Sequence, residues 1–196
     1  MRLWILALLC FPLSVSAQNL NVVVNEVVSS LTDPKNGIQQ YRMPAFTVEL
    51  TVNKELNAYA DLRTHTIYLN TSLVQVFYGD RGELAFVIAH EIGHIQDAGC
   101  AARGAAQRLR GTALQRMCEA AADQIGMQYL LAAGYSPFDA AGVMGKLLMI
   151  DPAQSSVLGI VLGRFVSDHP VDVDRVKQLA GYARLVCQDR PEVCRH

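Results

Sequence analysis

The sequence has almost no net charge, because 17 basic and 18 acidic residues leave a formal net charge of -1 at pH 7. Without an excess of positive charge, no overall field attracts nucleic acid or an anionic membrane, and affinity for either would need a local patch. We therefore expect no nucleic-acid partner. The 196 residues also contain no linker, repeat or low-complexity segment, so we expect one globular domain with its own core.

The sequence also lacks an apolar run long enough for a good transmembrane helix, which needs about 20 residues. Residues 3–13 form a shorter apolar run that follows Arg2, and Val15, Ser16 and Ala17 offer small residues for cleavage. This pattern predicts a signal peptide at residues 1–17 and a mature domain at residues 18–196, exported to the periplasm or the extracellular space. The alternative is an uncleaved anchor.

Paired CxxC motifs, which are typical of structural zinc sites, are absent. Cleavage after Ala17 would leave Cys100, Cys118, Cys187 and Cys194. An even number of cysteines in an exported protein indicates disulfides, with three possible pairings. A Cys187–Cys194 bond would tie down the C-terminal tail, and a Cys100–Cys118 bond would clip the segment between two helices.

Apolar residues indicate one helix, then strands, then a helical body. Helical spacing of Val24, Val27, Val28 and Leu31 predicts the first helix. Residues 46–52, 57–60 and 66–69 read as strands of a small sheet, which we expect to be antiparallel. A capping box predicts a helix at about residues 83–98, and a second helical stretch ends at Gly134. A third helix is predicted to begin at Ser136-Pro137, and a last one is predicted at about residues 172–185. The fold class is therefore α+β.

The pattern HExxH occurs at residues 90–94, inside the helix that is predicted from its capping box and apolar residues. Because residues four apart share a helix face, His90 and His94 can bind one zinc ion. Such an ion lowers the pKa of a bound water from about 16 towards 7. Glu91 can then act as the base and pass the proton to the leaving amine. The alternative is an accidental pattern on a core helix.

A catalytic zinc ion has three protein ligands and one open position, so a third ligand is expected downstream. Cys100 and Cys118 could serve, but ligation would use up disulfide partners. Glu119 is favoured, because Asp123 follows one helical turn later and could hydrogen-bond the outer nitrogen of a ligand histidine. Without the upstream motif, this acidic pair would be read as a solvated helix face.

Six short motifs resemble those of the HtpX-like and CAAX-prenyl-protease zinc endopeptidases, in the same order. They are NAYA at 57–60, TIYLNTSL at 66–73, HEIGHI at 90–95, EAAADQIG at 119–126, GYSP at 134–137, and SDHP at 167–170 followed by Arg175. Within this family, the motifs most resemble those of the catalytic domain of the periplasmic β-barrel-assembly-enhancing protease. The resemblance implies a zincin-type domain with a small antiparallel sheet beside a helical body. The interval between His94 and Glu119 looks short for the family.

The resemblance also implies roles that spacing alone does not assign. His169 would face the zinc and stabilise the transition state or occupy the open coordination position, and Arg175 would pair with an acidic group near the site. Asn57, Ala58 and Tyr59 would bind substrate backbone along a strand edge. Alternatively, His169 is an ordinary loop residue, Arg175 is a solvent-exposed side chain, and residues 57–59 belong to a strand without a binding role.

Two functions from different classes follow. The first is an exported endopeptidase with one zinc ion per chain, which cleaves extended or unfolded protein segments, with envelope quality control implied by the resemblance. The second is a zinc-stabilised binding or chaperone module whose site is closed by His169. A peripheral membrane or envelope-protein partner is compatible with both, and the oligomeric state stays open.

Overall fold

A computed structural model describes residues 16–36, 42–97, 99–100, 113–150, 169 and 173–194. Helices dominate these ranges and lie beside one small sheet. The helices are α1 (Ala17–Thr32), α2 (Thr71–Val76), α3 (Arg81–Gln96), α4 (Ala113–Ala132), α5 (Phe138–Met149) and α6 (Val173–Asp189), and the strands are β1 (Thr47–Thr51), β2 (Ala58–Asp61) and β3 (Thr66–Asn70). The predicted α+β class is confirmed.

The first helix begins where a polar side chain caps it. The hydroxyl of Ser16 accepts a hydrogen bond from the Asn19 N–H at 3.3 Å. Three of the four residues that predicted this helix, Val24, Val27 and Leu31, are at 3% exposure or less, Val28 is half-buried, and the helix packs on α3. Most of the predicted signal peptide, residues 1–15, lies outside the described ranges, so that prediction remains untested.

The sheet is mixed, and the prediction that it is antiparallel was wrong for one of its two pairings. The strand order is β1-β3-β2. A short turn joins β2 to β3, which pair antiparallel, whereas β1 pairs with the other side of β3 in parallel, with Thr47 opposite Thr66. Two reversals of the chain separate β1 from β3, so both point the same way. Alternating apolar residues predict that a segment is a strand, but they do not predict which strand it pairs with or in which direction.

The centre of the molecule is α3, which contacts α1, α4, α5 and the sheet. Its start is capped as predicted: the Asp80 carboxylate accepts a hydrogen bond from the Glu83 N–H at 3.1 Å. Almost every residue from Gly82 to Ile95 is buried. Side chains on any face of α3 therefore lie in the protein interior, including those of the HExxH motif.

Two of the later helices, α4 and α5, pack against α3. As predicted, α4 ends at a glycine: Gly134 has φ 81°, and the next N–H, of Tyr135, donates to the Leu130 carbonyl at 3.1 Å. The Asp139 carboxylate accepts a hydrogen bond from the Ser136 N–H at 3.2 Å, which fixes the start of α5. Further along, α6 packs on α5. None of the helices that the structure describes is long and apolar enough to span a membrane.

Two disulfides are present among the described cysteines. Cys187 bonds to Cys194 and ties α6 to a short 3-10 helix at Pro191–Cys194. Cys100 bonds to Cys118 and joins the chain just after α3 to α4. Of the three pairings left open by the sequence, the structure has the one that links each cysteine to its neighbour along the chain.

Candidate metal centre

The site is built where α4 crosses α3 at very close range. A Cβ atom added at Gly93 would lie 2.8 Å from the Ala122 carbonyl oxygen, and one added at Gly126 would lie 3.0 Å from the His90 backbone nitrogen. Both distances are too short for a side chain, so the two glycines permit this approach. The approach brings the acidic residues of α4 to the histidines of α3.

Four side chains direct their ligand atoms to one point. His90, His94, Glu119 and His169 each offer one such atom, and these atoms all lie within 4.8 Å of one another. His90 Nε2 lies 3.1 Å from His94 Nε2, 3.4 Å from Glu119 Oε2 and 3.3 Å from His169 Nδ1. His94 Nε2 lies 3.4 Å from Glu119 Oε1. The structure thus brings together both histidines of HExxH, the predicted third ligand and the predicted downstream histidine.

These spacings suit a zinc ion. Zinc binds histidine nitrogen at about 2.0–2.1 Å and carboxylate oxygen at a similar distance, with tetrahedral geometry. Ligand atoms at the corners of such a tetrahedron lie about 3.3 Å apart. The distances from His90 Nε2 to the other three ligand atoms, 3.1–3.4 Å, are close to this value. Imidazole and carboxylate are also the donor types that zinc prefers in catalytic sites, so the residues present fit the metal.

Glu91 lies beside this cluster as a buried carboxylate. Its side chain is 1% exposed, and neither carboxylate oxygen has a hydrogen-bond partner among the described residues. The nearest charged group recorded for it is His169, whose Nε2 lies 3.5 Å from Glu91 Oε1. Burial raises the pKa of Glu91 above its usual value. A raised pKa is suited to a group that has to accept and release a proton.

A buried ion pair supports the cluster from behind. Asp123 Oδ1 lies 2.9 Å from His90 Nδ1, the ring nitrogen that faces away from the ligand atoms. Arg175 donates two hydrogen bonds of 2.7 Å to the Asp123 carboxylate, and its Nη1 lies 3.1 Å from Glu119 Oε2. Burial raises the pKa of Asp123, but hydrogen bonds from Arg175 and His90 outweigh it and lower that pKa to about 2. Asp123 is thus a fixed negative charge that orients His90.

The charges of the cluster oppose one another strongly. Burial acts to lower the pKa of His90, but the neighbouring carboxylates of Asp123 and Glu119 favour its protonated form and raise this pKa to about 9. Burial, followed by the charges of His90 and His169, holds the pKa of His94 well below its usual range. Burial raises the pKa of Glu119, but the charge and hydrogen bond of His169 outweigh it and keep Glu119 ionised. Metal binding at this cluster therefore competes with protons for the histidine nitrogens.

The predicted substrate-binding residues occupy β2 and its entry. Among the described strands only β3 pairs with β2, so the other edge of β2 has no strand partner there, and β2 contacts α3. Ala58 is fully buried. Tyr59 is 43% exposed and stacks on Tyr68 with 5.0 Å between ring centroids. The side-chain oxygen of Asn57 is buried without a described hydrogen-bond partner.

Two features of the site were missed by sequence reasoning. Arg175 contacts the predicted ligand Glu119 as well as Asp123, and Gly126 permits the close crossing of α3 and α4. For the second, the run of alanines at residues 120–122 predicted that this helix packs closely against the HExxH helix, and only the part played by Gly126 was missed. For the first, the family resemblance implied that Arg175 pairs with an acidic group near the site, but nothing in the sequence indicated Glu119 as a partner.

Two histidines four residues apart on a buried helix, a carboxylate between them and a carboxylate from a crossing helix form an arrangement that is typical of metallopeptidases and could hold a metal ion. The family model of peptidase family M48 matches residues 16–109 and 98–183. The chain therefore belongs to peptidase family M48, a family of metal-dependent peptidases. A comparison with curated proteins gives no match. The closer likeness to the β-barrel-assembly-enhancing protease remains a prediction.

Proposed function

We propose that this chain is an exported, zinc-dependent endopeptidase that binds one zinc ion through His90, His94 and Glu119. The observation that carries the proposal is the Glu91 carboxylate, which is buried beside the ligand atoms with no hydrogen-bond partner among the described residues. A buried carboxylate without hydrogen bonds costs stability, and a purely structural metal site has no need of one there. A peptidase, by contrast, needs a carboxylate beside the metal ligands to act as the catalytic base.

Each residue has one task in the proposed reaction. His90, His94 and Glu119 would hold the zinc ion, which would supply a water whose pKa is lowered from 15.7 to about 7 and would polarise the scissile carbonyl. A carboxylate oxygen of Glu91 takes a proton from the attacking water as the water oxygen bonds to the carbonyl carbon. Glu91 then delivers this proton to the amine nitrogen as the C–N bond breaks. His169, with its Nε2 3.5 Å from Glu91, stabilises the negative charge that develops on the carbonyl oxygen.

The substrate we propose is an extended or unfolded protein segment. The edge of β2 that has no described strand partner can add such a segment as a further strand, through main-chain hydrogen bonds. Asn57 at the entry of β2 and Ala58 and Tyr59 within it are the contacts we assign to it. A role in quality control of envelope proteins rests on the family resemblance alone.

Export is proposed on two observations that agree. The apolar run at residues 3–13 has the length of a signal-peptide core. Both described cysteine pairs form disulfides, and disulfides persist in oxidising compartments such as the periplasm or the extracellular space.

Metal removal tests the proposal. The purified mature chain should cleave an unfolded protein such as casein and contain one zinc ion per chain. A strong chelator should abolish cleavage, and added zinc should restore it, because the proposed reaction depends on the metal. Zinc content and casein fragments are measured on the same sample. Cleavage that persists after all metal has been removed would contradict the proposal.

A second candidate is a zinc-stabilised binding module whose site is closed. It is favoured by His169 Nδ1, which lies 3.3 Å from His90 Nε2 and 3.1 Å from Glu119 Oε2 and could therefore occupy the fourth coordination position. In that case the native chain binds zinc without cleaving casein, and His169→Ala releases activity. The endopeptidase predicts the reverse: native activity, and a loss of activity in His169→Ala.

A further inference from the structure

The Cys100–Cys118 disulfide connects the two parts of the chain that carry the metal-binding residues. Cys100 comes six residues after His94, and Cys118 directly precedes Glu119. The bond joins Cα atoms 5.5 Å apart. It therefore gives Glu119 a covalent connection to the HExxH helix that is much shorter than the route along residues 95–118.

Both ends of this bridge are held in the interior. Cys100 and Cys118 are 7% and 6% exposed. The Cys100 N–H donates to the Asp97 carbonyl at 2.9 Å, and the Asp97 N–H donates to the Gly93 carbonyl at 2.9 Å. Cys100 is thus fixed to the end of α3 by its backbone. The disulfide in turn connects the end of α3 to the part of α4 that carries Glu119.

The position of Glu119 decides whether the site can hold metal tightly. Ligands have to lie within about 0.5 Å of their productive positions. Apart from the histidines, the recorded polar contact of the Glu119 carboxylate is Arg175 Nη1 at 3.1 Å, and Arg175 lies on a third helix. The disulfide, by contrast, connects Cys118, the residue directly before Glu119, covalently to Cys100 at the end of the HExxH helix.

We propose that the Cys100–Cys118 disulfide positions Glu119 for zinc, so that zinc affinity and peptidase activity require the oxidised bridge. The inference rests on the proposed function. A dithiol reductant transfers two electrons to the bridge, the S–S bond breaks, and each sulfur takes a proton to become a thiol while the reductant becomes a disulfide. The chain then loses the constraint on Glu119, which confines tight zinc binding to oxidising conditions.

The second disulfide is an internal control of the same chemistry. Cys187 and Cys194, both half-buried, also form a disulfide, but it joins α6 to the 3-10 helix that follows. Neither cysteine is adjacent to a residue of the metal centre, the nearest being Arg175, 12 residues before Cys187. Its removal should lower stability without lowering zinc affinity.

The first experiment compares C100S/C118S with C187S/C194S. Zinc affinity is measured by competition with a chelating dye, and folding is monitored by circular dichroism. The inference predicts zinc binding about 10–100-fold weaker in C100S/C118S, as expected when a group that orients a ligand is lost, and native affinity in C187S/C194S. Native affinity in a folded C100S/C118S would overturn it.

The second experiment uses the native chain and stays informative if C100S/C118S does not fold. Coupling between two sites is reciprocal, so zinc must stabilise the oxidised bridge by the factor by which the bridge strengthens zinc binding. Equilibration in glutathione buffers, with thiols counted by alkylation and mass spectrometry, should show the Cys100–Cys118 potential lowered by zinc. Each tenfold by which the bridge strengthens zinc binding should lower this potential by about 30 mV. The Cys187–Cys194 potential should not change.

The outcomes separate this inference from the proposed function. An unchanged Cys100–Cys118 potential, or one raised because the reduced thiols themselves bind zinc, overturns the inference. If the native chain binds zinc and cleaves casein while C100S/C118S does so equally well, only the inference fails. If the oxidised native chain binds no zinc, both fail.

Discussion

Glu91→Gln should lower casein cleavage by about 10²–10⁴-fold while the chain keeps its zinc. Glutamine has nearly the same size and shape as glutamate, but its amide cannot accept a proton from water at neutral pH. The ligand atoms of the cluster belong to other residues, so zinc content should stay at the native value. Cleavage is measured as the initial rate of fragment release, and zinc content on the same sample.

The matched control is Glu49→Gln, which makes the same chemical change on the exposed side of β1. It should leave both cleavage and zinc content at native values. Native cleavage by Glu91→Gln would show that Glu91 is not the base. A loss of zinc in Glu91→Gln would place this side chain among the groups that hold the metal and would require a different assignment of roles.

Arg175→Met should lower the free energy of unfolding by about 3–5 kcal/mol, measured by urea denaturation with a chelator present. The methionine fills much of the same volume but leaves the buried Asp123 carboxylate without its two hydrogen bonds of 2.7 Å. It also removes the contact with Glu119. Two buried carboxylates then lie close together without the guanidinium between them, so α4 should separate from α6.

Arg184→Met provides the comparison, because Arg184 lies on the same helix and is exposed. Its replacement should change the free energy of unfolding by no more than about 0.5 kcal/mol. Equal losses in the two variants would mean that the Asp123–Arg175 pair does not stabilise the fold. Arg175→Lys should fall between them, because an ammonium group keeps the charge but not the two parallel hydrogen bonds.

The parts of the fold that could be predicted are those with local causes. The Asp80 carboxylate caps α3 and Gly134 ends α4 for reasons that lie within a few residues of each. His90 and His94 lie side by side because of helix geometry alone, whatever packs around them. For the same reason Asp123 could be predicted to lie one turn from Glu119.

The parts that could not be predicted depend on contacts between distant segments. The parallel pairing of β1 with β3 is decided by which side of β3 remains open, and alternation of apolar residues is the same for either neighbour. The choice among three disulfide pairings follows from the crossing of α3 and α4, which brings Cys100 to Cys118. The contact of Arg175 with Glu119 likewise needs α6 to lie beside α4.

The zinc content of the purified mature chain, measured beside His94→Ala, tests the central claim most directly. The account predicts one zinc ion per chain in the native protein. It predicts at least a tenfold loss of zinc affinity in His94→Ala, since even losing a group that only orients a ligand costs 10–100-fold. A native chain without zinc, or a His94→Ala variant that binds zinc as tightly as the native chain, would contradict it.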